Sequence, residues 1–335
     1  MKRVLVTGGT GYLGGAVVRA FAEAGWQVRC LLRPTSDRSV LPPGVEVATG
    51  DVTDPATLRP ALAHVQAVCH SAALVSSWVR DRGLFQRVNV EGLVNVLDAA
   101  LASAVGRVVY TSTFFASGPS DEAPSRQGGV VDEACVPVRR RFHTEYERTK
   151  TEALHRVEEF AARGLPVVTV MPGVLYGPGR ETEGSFINPL IAAIARGRLG
   201  PLVGTGRQRW CFTYLADVAR GHVLAADRGQ PGARYILGGE NLPLAGFLSL
   251  VAELARARWR WRALPLRLAQ ALTLPALLRA RLGGPPPRLT PGAVAALVHS
   301  WAFSSEKARR ELGYSITPVR TALQETLAWL QDSGR

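Results

Sequence analysis

The chain opens with an apolar run, Val4-Leu5-Val6-Thr7, that breaks into Gly8-Gly9-Thr10-Gly11-Tyr12-Leu13-Gly14 and passes directly into a helical pattern of Ala16, Val17, Val18, Ala20 and Phe21. A strand that opens onto glycines and then a helix has few structural solutions. It brings backbone N–H groups at a helix N-terminus within reach of a bound anion, and a pyrophosphate is the ligand such a turn suits. Gly8 supplies the tight turn, Gly11 lets the backbone approach the phosphates, and Gly14 allows the helix to pack closely on its strand. Because the chain contains 34 glycines, position matters more than the glycines themselves. The run lies between strand and helix, as a dinucleotide-binding turn requires.

A second signal lies far downstream in Tyr146-Glu147-Arg148-Thr149-Lys150. Residues four apart share one helix face, so a phenol and an ammonium can act at one point. Lysine is scarce, with only Lys2, Lys150 and Lys307 among the 40 basic residues, so this spacing is not a product of composition. The pair suits hydride transfer between a carbonyl and a nicotinamide, which needs a proton donor at the developing alkoxide. A tyrosine of ordinary pKa near 10 is a poor partner at neutral pH, and a neighbouring ammonium stabilises its phenolate.

Between these signals strand and helix patterns alternate, which predicts an α/β fold built on a doubly wound parallel sheet of the Rossmann type. Strands are predicted over Arg3 to Thr7, Gln27 to Leu32, Val65 to His70, Arg107 to Thr111 and Pro166 to Met171, with long helices over Leu84 to Ala102 and Thr144 to Arg163. Residues 1–177 read as the dinucleotide-binding domain, to which later segments return, and 178–335 as a smaller, mainly substrate-binding portion.

The ordered motifs resemble the extended short-chain dehydrogenase/reductases, the superfamily that includes the NAD-dependent epimerases and dehydratases. Besides the two signals above, the matching segments are Gly50-Asp51-Val52-Thr53-Asp54, His70-Ser71-Ala72-Ala73, Val88-Asn89-Val90-Glu91-Gly92 and Val109-Tyr110-Thr111-Ser112-Thr113. They continue with Pro172-Gly173-Val174-Leu175-Tyr176-Gly177-Pro178-Gly179, Asp217-Val218-Ala219 and Glu311-Leu312-Gly313-Tyr314. Within the superfamily the chain is most similar to the dihydroflavonol reductase-like, hydroxysteroid dehydrogenase-like and farnesol dehydrogenase-like branch. The resemblance implies catalysis by Thr113, Tyr146 and Lys150, with Asn89 supporting the lysine and Ser112 in place of Thr113 if the register shifts by one. It puts Gly8, Thr10, Gly11, Tyr12, Leu13 and Gly14 on the cofactor, Asp51 and Val52 at the adenine, and Ser71, Ala72 and Ala73 along the adenosine ribose and the nicotinamide side. Tyr146, Lys150, Pro172 and Val174 also fall on the cofactor, and a homodimer through the two long helices is implied.

Where an NAD-binding fold places an acidic residue for the ribose hydroxyl, this chain has Leu32-Arg33-Pro34-Thr35-Ser36, with Asp37 close behind. Arg33 suits a 2′-phosphate, so NADP(H) is favoured over NAD(H). The candidate substrate contacts, Trp78, Phe114, Phe115, Phe186 and Trp210, suggest a hydrophobic ketone or alcohol. Arg209 and the run Arg139-Arg140-Arg141 support a second reading, a nucleotide-sugar epimerase or dehydratase with tightly held NAD. A sensor without catalysis is a third reading, opposed by the intact Thr113, Tyr146 and Lys150.

Composition limits the rest. The cysteines Cys30, Cys69, Cys135 and Cys211 show no metal or disulfide spacing, so no metal is expected. The glycine turn interrupts any secretion signal after Met1-Lys2-Arg3, and a cytoplasmic enzyme is expected. The net charge of +13 comes without a nucleic-acid motif. One stretch stands apart: from Leu254 to Ser305 arginines interleave with Trp259, Trp261 and many leucines, and no acidic residue occurs. It reads either as a cationic lid with Leu264, Leu266, Leu268 and Leu272 in its core, or as a peripheral contact with an anionic membrane.

Overall fold

A computed structural model describes residues 2–122, 129–135 and 142–332. The Arg139 to Arg141 run lies outside the described residues. In chain order the strands are β1 (Arg3–Thr7), β2 (Gln27–Leu32), β3 (Glu46–Thr49), β4 (Ala67–His70), β5 (Arg107–Thr111), β6 (Val167–Pro172), β7 (Val174–Tyr176), β8 (Leu202–Val203), β9 (Arg209–Tyr214), β10 (Arg234–Leu237), β11 (Glu240–Pro243) and β12 (Ala263–Leu264). Seven of them form one parallel sheet in the order β10-β6-β5-β4-β1-β2-β3. The order reverses between β1 and β4, the switch point at which a doubly wound sheet opens its crevice. Thr7 pairs with Leu31 and His70, and His70 with Tyr110, so the carboxyl ends of these strands stand in line.

The buried runs of β4 and β6 follow from helices covering both sheet faces. Along β1, Val4 and Val6 face a core shared with Val17 and Phe21 of the helix Tyr12–Glu23 and with Val218 of the helix Leu215–Arg228. Leu5 faces the opposite core, with Leu93 and Leu97 of the helix Gly92–Ala102 and Val157 of the helix Glu145–Ala162. The second half adds a core around Phe212, Phe247 and Trp301, under a small sheet ordered β11-β9-β7.

The predicted boundaries hold to within two residues for the five predicted strands. The predicted Leu84 to Ala102 helix runs from Gly83 to Ala102 but contains a π-helical turn at Arg87–Glu91. The helix Glu145–Ala162 starts where Thr144 accepts the Glu147 N–H at 3.2 Å, with Glu145 and Glu147 favourably placed in the first turn. In the cationic stretch, Leu264 and Leu266 pack around Val203, Ala269 and Val294 as expected. Leu268 and Leu272 do not: they are 50% and 63% exposed, because the helix Leu266–Arg281 rests on the protein through Ala269 and Ala280.

One buried polar joint ties the nucleotide turn to the second half. Tyr12 donates its hydroxyl to the Gly177 carbonyl at 2.8 Å, and the Asn188 side chain donates to both the Tyr12 oxygen and the Gly177 carbonyl. Tyr12→Phe removes both hydrogen bonds of this hydroxyl, which together cost about 2 kcal/mol. Urea denaturation should show a lowered midpoint with an unchanged slope.

Candidate active site

The glycine turn forms as its spacing demands. Gly8 adopts φ +75°, and a Cβ there would lie 2.7 Å from the Ala72 nitrogen. Gly11 caps the helix Tyr12–Glu23 without offering a side-chain hydrogen bond, which leaves the helix N-terminus free for an anionic ligand. A Cβ at Gly14 would stand 2.0 Å from the Gly8 oxygen. These closures fit a dinucleotide whose diphosphate is held by main-chain N–H groups. Thr10 and Leu13 are partly exposed beside the turn, whereas the Tyr12 side chain is turned inward to Gly177, so only its backbone faces this site.

The loop after β4 closes the other side of the turn. Ser71 donates to the Thr7 carbonyl at 2.7 Å, and the Ala72 N–H reaches the Thr7 hydroxyl at 3.2 Å. Ala73 follows, partly exposed. Asp51 accepts from the Thr53 amide and hydroxyl, and Val52 is buried against Gly92. Arg33 is exposed just past the end of β2. Asp37 accepts both the amide and the hydroxyl of Ser39 and lies 3.6 Å from Arg180; the Ser39 bonds hold its carboxyl below the usual range. Pro172 ends β6, and Val174 is buried in the second core.

Tyr146 lies in the first turn of its helix, with Thr113 near enough to its phenol to lower its pKa. Thr113 is positioned by local chemistry: it caps the turn Phe114–Ser117 at the end of the β5 loop. Ser112, one residue earlier, is held by its own amide on Val170. Lys150, one helical turn beyond Tyr146, donates to the Thr111 carbonyl at 2.7 Å and stands 4.6 Å above the Tyr110 ring. The helix thus brings both groups to the ends of β4 and β5.

Burial controls the charge state of this cluster. It lowers Lys150 to about 7 and raises Tyr146 to about 12, with Thr113 opposing the rise. The depression of Tyr146 expected from Lys150 is thus not found in the protein alone: desolvation dominates, and the lowering influence on the phenol is Thr113. Burial, with Lys150 adding to it, also lowers His70 to about 3, so this ring stays neutral while bonded to the Thr7 hydroxyl at 2.9 Å.

Asn89 acts one residue away from its expected target. Its carbonyl accepts the Leu74 N–H at 2.7 Å, while its amide donates to the Leu74 carbonyl and to the Thr149 hydroxyl at 3.1 Å. It sits within the π-helical turn and clamps the loop after β4 to the catalytic helix. Thr149 and the Thr111 carbonyl were not singled out by sequence reasoning. Thr149 falls four residues before Ala153 and eleven before Phe160, on the buried face of its helix, and that helical spacing is the signal that points to it; nothing local points to the second.

The substrate candidates divide. The Phe115 ring meets Tyr146 edge-on at 6.3 Å, and partly buried Trp78 lies in the loop that Asn89 clamps. Phe114 packs against Trp301 and Phe303 in the core, and Trp210 is buried with its indole donating to the His299 carbonyl. Phe186 is 39% exposed beside Trp210, and Arg209 is exposed with its guanidinium on the Asn241 carbonyl.

The family comparison agrees with this geometry. A family model described as "NAD dependent epimerase/dehydratase family" matches residues 4–238. The chain belongs to the NAD-dependent epimerase/dehydratase family. It is 34% identical to the sterol demethylase protein B of Methylococcus capsulatus, over 98% of each chain. It is also 34% identical to the 2-alkyl-3-oxoalkanoate reductase of Stenotrophomonas maltophilia, over 93% of this chain and 94% of that one. The crystal structure of gox2253 superposes with a TM-score of 0.83 at 34% identity, covering 100% of this chain and 99% of the other. Further relatives include dihydroflavonol reductase-like and 3β-hydroxysteroid dehydrogenase proteins, as the sequence motifs imply. The protein is thus an enzyme of the extended short-chain dehydrogenase/reductase type that uses a nicotinamide cofactor.

The lysine makes stability pH-dependent. Its folded pKa is depressed from 10.5 to about 7, so the unfolded chain binds the extra proton between these values and the folded protein weakens as pH falls through that window. Lys150→Met removes this burden. Thermal melts of the cofactor-free proteins should favour the variant most near pH 6, with the difference shrinking towards pH 10.

Proposed function

We propose that the protein reduces a carbonyl group on a hydrophobic substrate with NADPH, the reverse oxidation being the same chemistry run backwards. The observation that carries this reading is the convergence of Thr113 and Phe115 on the Tyr146 phenol, the first lowering its pKa and the second meeting its ring edge-on. It joins a proton donor, a positioning hydroxyl and an apolar wall at one place.

A bound nicotinamide dinucleotide supplies the hydride. The N–H groups around Gly8, Gly11 and Gly14 would hold its diphosphate, and Arg33 would meet a 2′-phosphate, since Asp37 is engaged by Ser39. Thr113 and Tyr146 both reach the substrate oxygen. As negative charge develops there, Tyr146 gives up its proton; burial, which raises the phenol to about 12 in the protein alone, keeps it protonated at neutral pH but makes it a weak acid, so the transfer depends on stabilising the phenolate. The Lys150 ammonium lies on the same helix face and stabilises the phenolate that remains. Phe115 and Trp78 exclude water from the reacting carbonyl. The 2-alkyl-3-oxoalkanoate reductase to which the chain is similar is named for a ketone of this apolar class.

Tyr146→Phe keeps the ring and removes the acid, so kcat should fall by roughly 10² to 10⁴ while circular dichroism is unchanged. Full activity in that variant would refute the assignment. Arg33→Asp should lower the NADPH-to-NADH ratio of kcat/KM; an unchanged ratio means the 2′-phosphate is read elsewhere. Stoichiometric NAD released only on denaturation, without exchange against added NADPH, would instead favour the epimerase reading.

A further inference from the structure

We propose that the helix Leu266–Arg281 docks on an anionic phospholipid bilayer, lying in the boundary between headgroups and acyl chains. Its amphipathicity is reversed relative to a core helix. Ala269 and Ala280 are the buried residues, and Gln270 anchors the helix by donating to the Pro291 carbonyl. The opposite face presents Leu268, Leu272, Leu274 and Leu278, continued just past the helix by Leu282, at 50% to 82% exposure. Among the described residues these five make up most of the large exposed apolar side chains. A patch of this kind on a water-facing surface marks a binding face.

Charge selects the partner. All eight arginines between Leu254 and Ser305 are exposed, the stretch holds no acidic residue, and among the described residues no carboxylate pairs with any of the eight. Arg267, Arg279 and Arg281 lie on the outward side with the leucines, and Arg288 follows. Leucines that insert, flanked by arginines that meet lipid phosphates, are the pattern of an interfacial helix. No helix among the described residues is long and apolar enough to cross a membrane, so the contact is peripheral.

The same stretch touches both walls of the active site. Ser77, in the loop that carries Trp78 and exposed Val75, donates to the Arg288 carbonyl at 3.2 Å. Gly292 lies so close to His143 that a Cβ would stand 2.1 Å from its carbonyl oxygen, just before the Thr144 cap of the catalytic helix. Docking therefore holds the mouth of the site at the lipid surface, where an apolar substrate dissolves; this last step alone rests on the proposed reductase activity.

Flotation of the full chain with vesicles of phosphatidylglycerol and phosphatidylcholine tests the docking without reference to catalysis. Binding should be strong at low salt, should weaken with salt, and should be lost on pure phosphatidylcholine, since each basic residue near an anionic surface contributes roughly fivefold. Leu272→Glu/Leu278→Glu, both on an exposed face, should keep the melting temperature and lower vesicle binding by about tenfold or more. Absence of wild-type flotation, or equal flotation of the variant, overturns the proposal. So does sedimentation showing a lipid-free dimer that the double variant dissociates, which would assign the leucines to a second copy of the chain. Turnover of a short water-soluble ketone by both proteins, measured in parallel, reports on the reductase reading separately.

Discussion

A Cβ atom at Gly14 would sit 2.0 Å from the carbonyl oxygen of Gly8, so the first helix can reach the end of β1 only because that side chain is missing. This contact fixes where the helix N-terminus points, and through Gly8 it also fixes the distance to Ala72 in the loop after β4. The loop is in turn bonded to Thr7 through Ser71 and Ala72. Two strand ends and one helix end are thereby locked into a shared rim of main-chain groups. The rest of the site is built outward from that rim.

The catalytic helix is tied to the rim by polar bonds in a buried setting. Lys150 reaches the Thr111 carbonyl, Thr149 meets Asn89, and Asn89 holds both backbone groups of Leu74. Desolvation disfavours the ammonium, yet moving it outward would break its bond to β5 and its stacking over Tyr110. Position is maintained here at the expense of charge stability. That trade is common at sites whose groups must act on a ligand rather than on each other.

Much of this was legible because its causes are local. The glycine turn, the Tyr146 to Lys150 spacing and the start of the helix at Thr144 each depend on neighbours within a few residues. What was not legible depends on distant ones. Phe114 and Phe115 are adjacent and chemically identical and both meet Trp301, yet Phe114 also packs on Phe303 and is buried, while Phe115 turns to Tyr146. Asn89 looked like a partner of the lysine, but the π-helical turn that contains it aims its amide at Thr149. β3 is only four residues long, largely exposed and at the sheet edge, so its sequence carries little strand signal. Leu268 and Leu272 look like core by composition; only the alanines beneath them show which way the helix faces.

The seventh strand of the large sheet is supplied by a part of the chain that has already laid down two of the three strands of the second sheet. β10 pairs with β6 from Arg234↔Thr169 to Leu237↔Pro172 and then leads at once into β11. A chain ending near residue 177 would keep the nucleotide turn but leave β6 as a bare edge, with unpaired N–H and C=O groups beside a strand buried on both faces. Such an edge invites pairing with other molecules. The two halves are thus interleaved, and neither can be inherited, exchanged or expressed as a separate module by cutting the chain at one point.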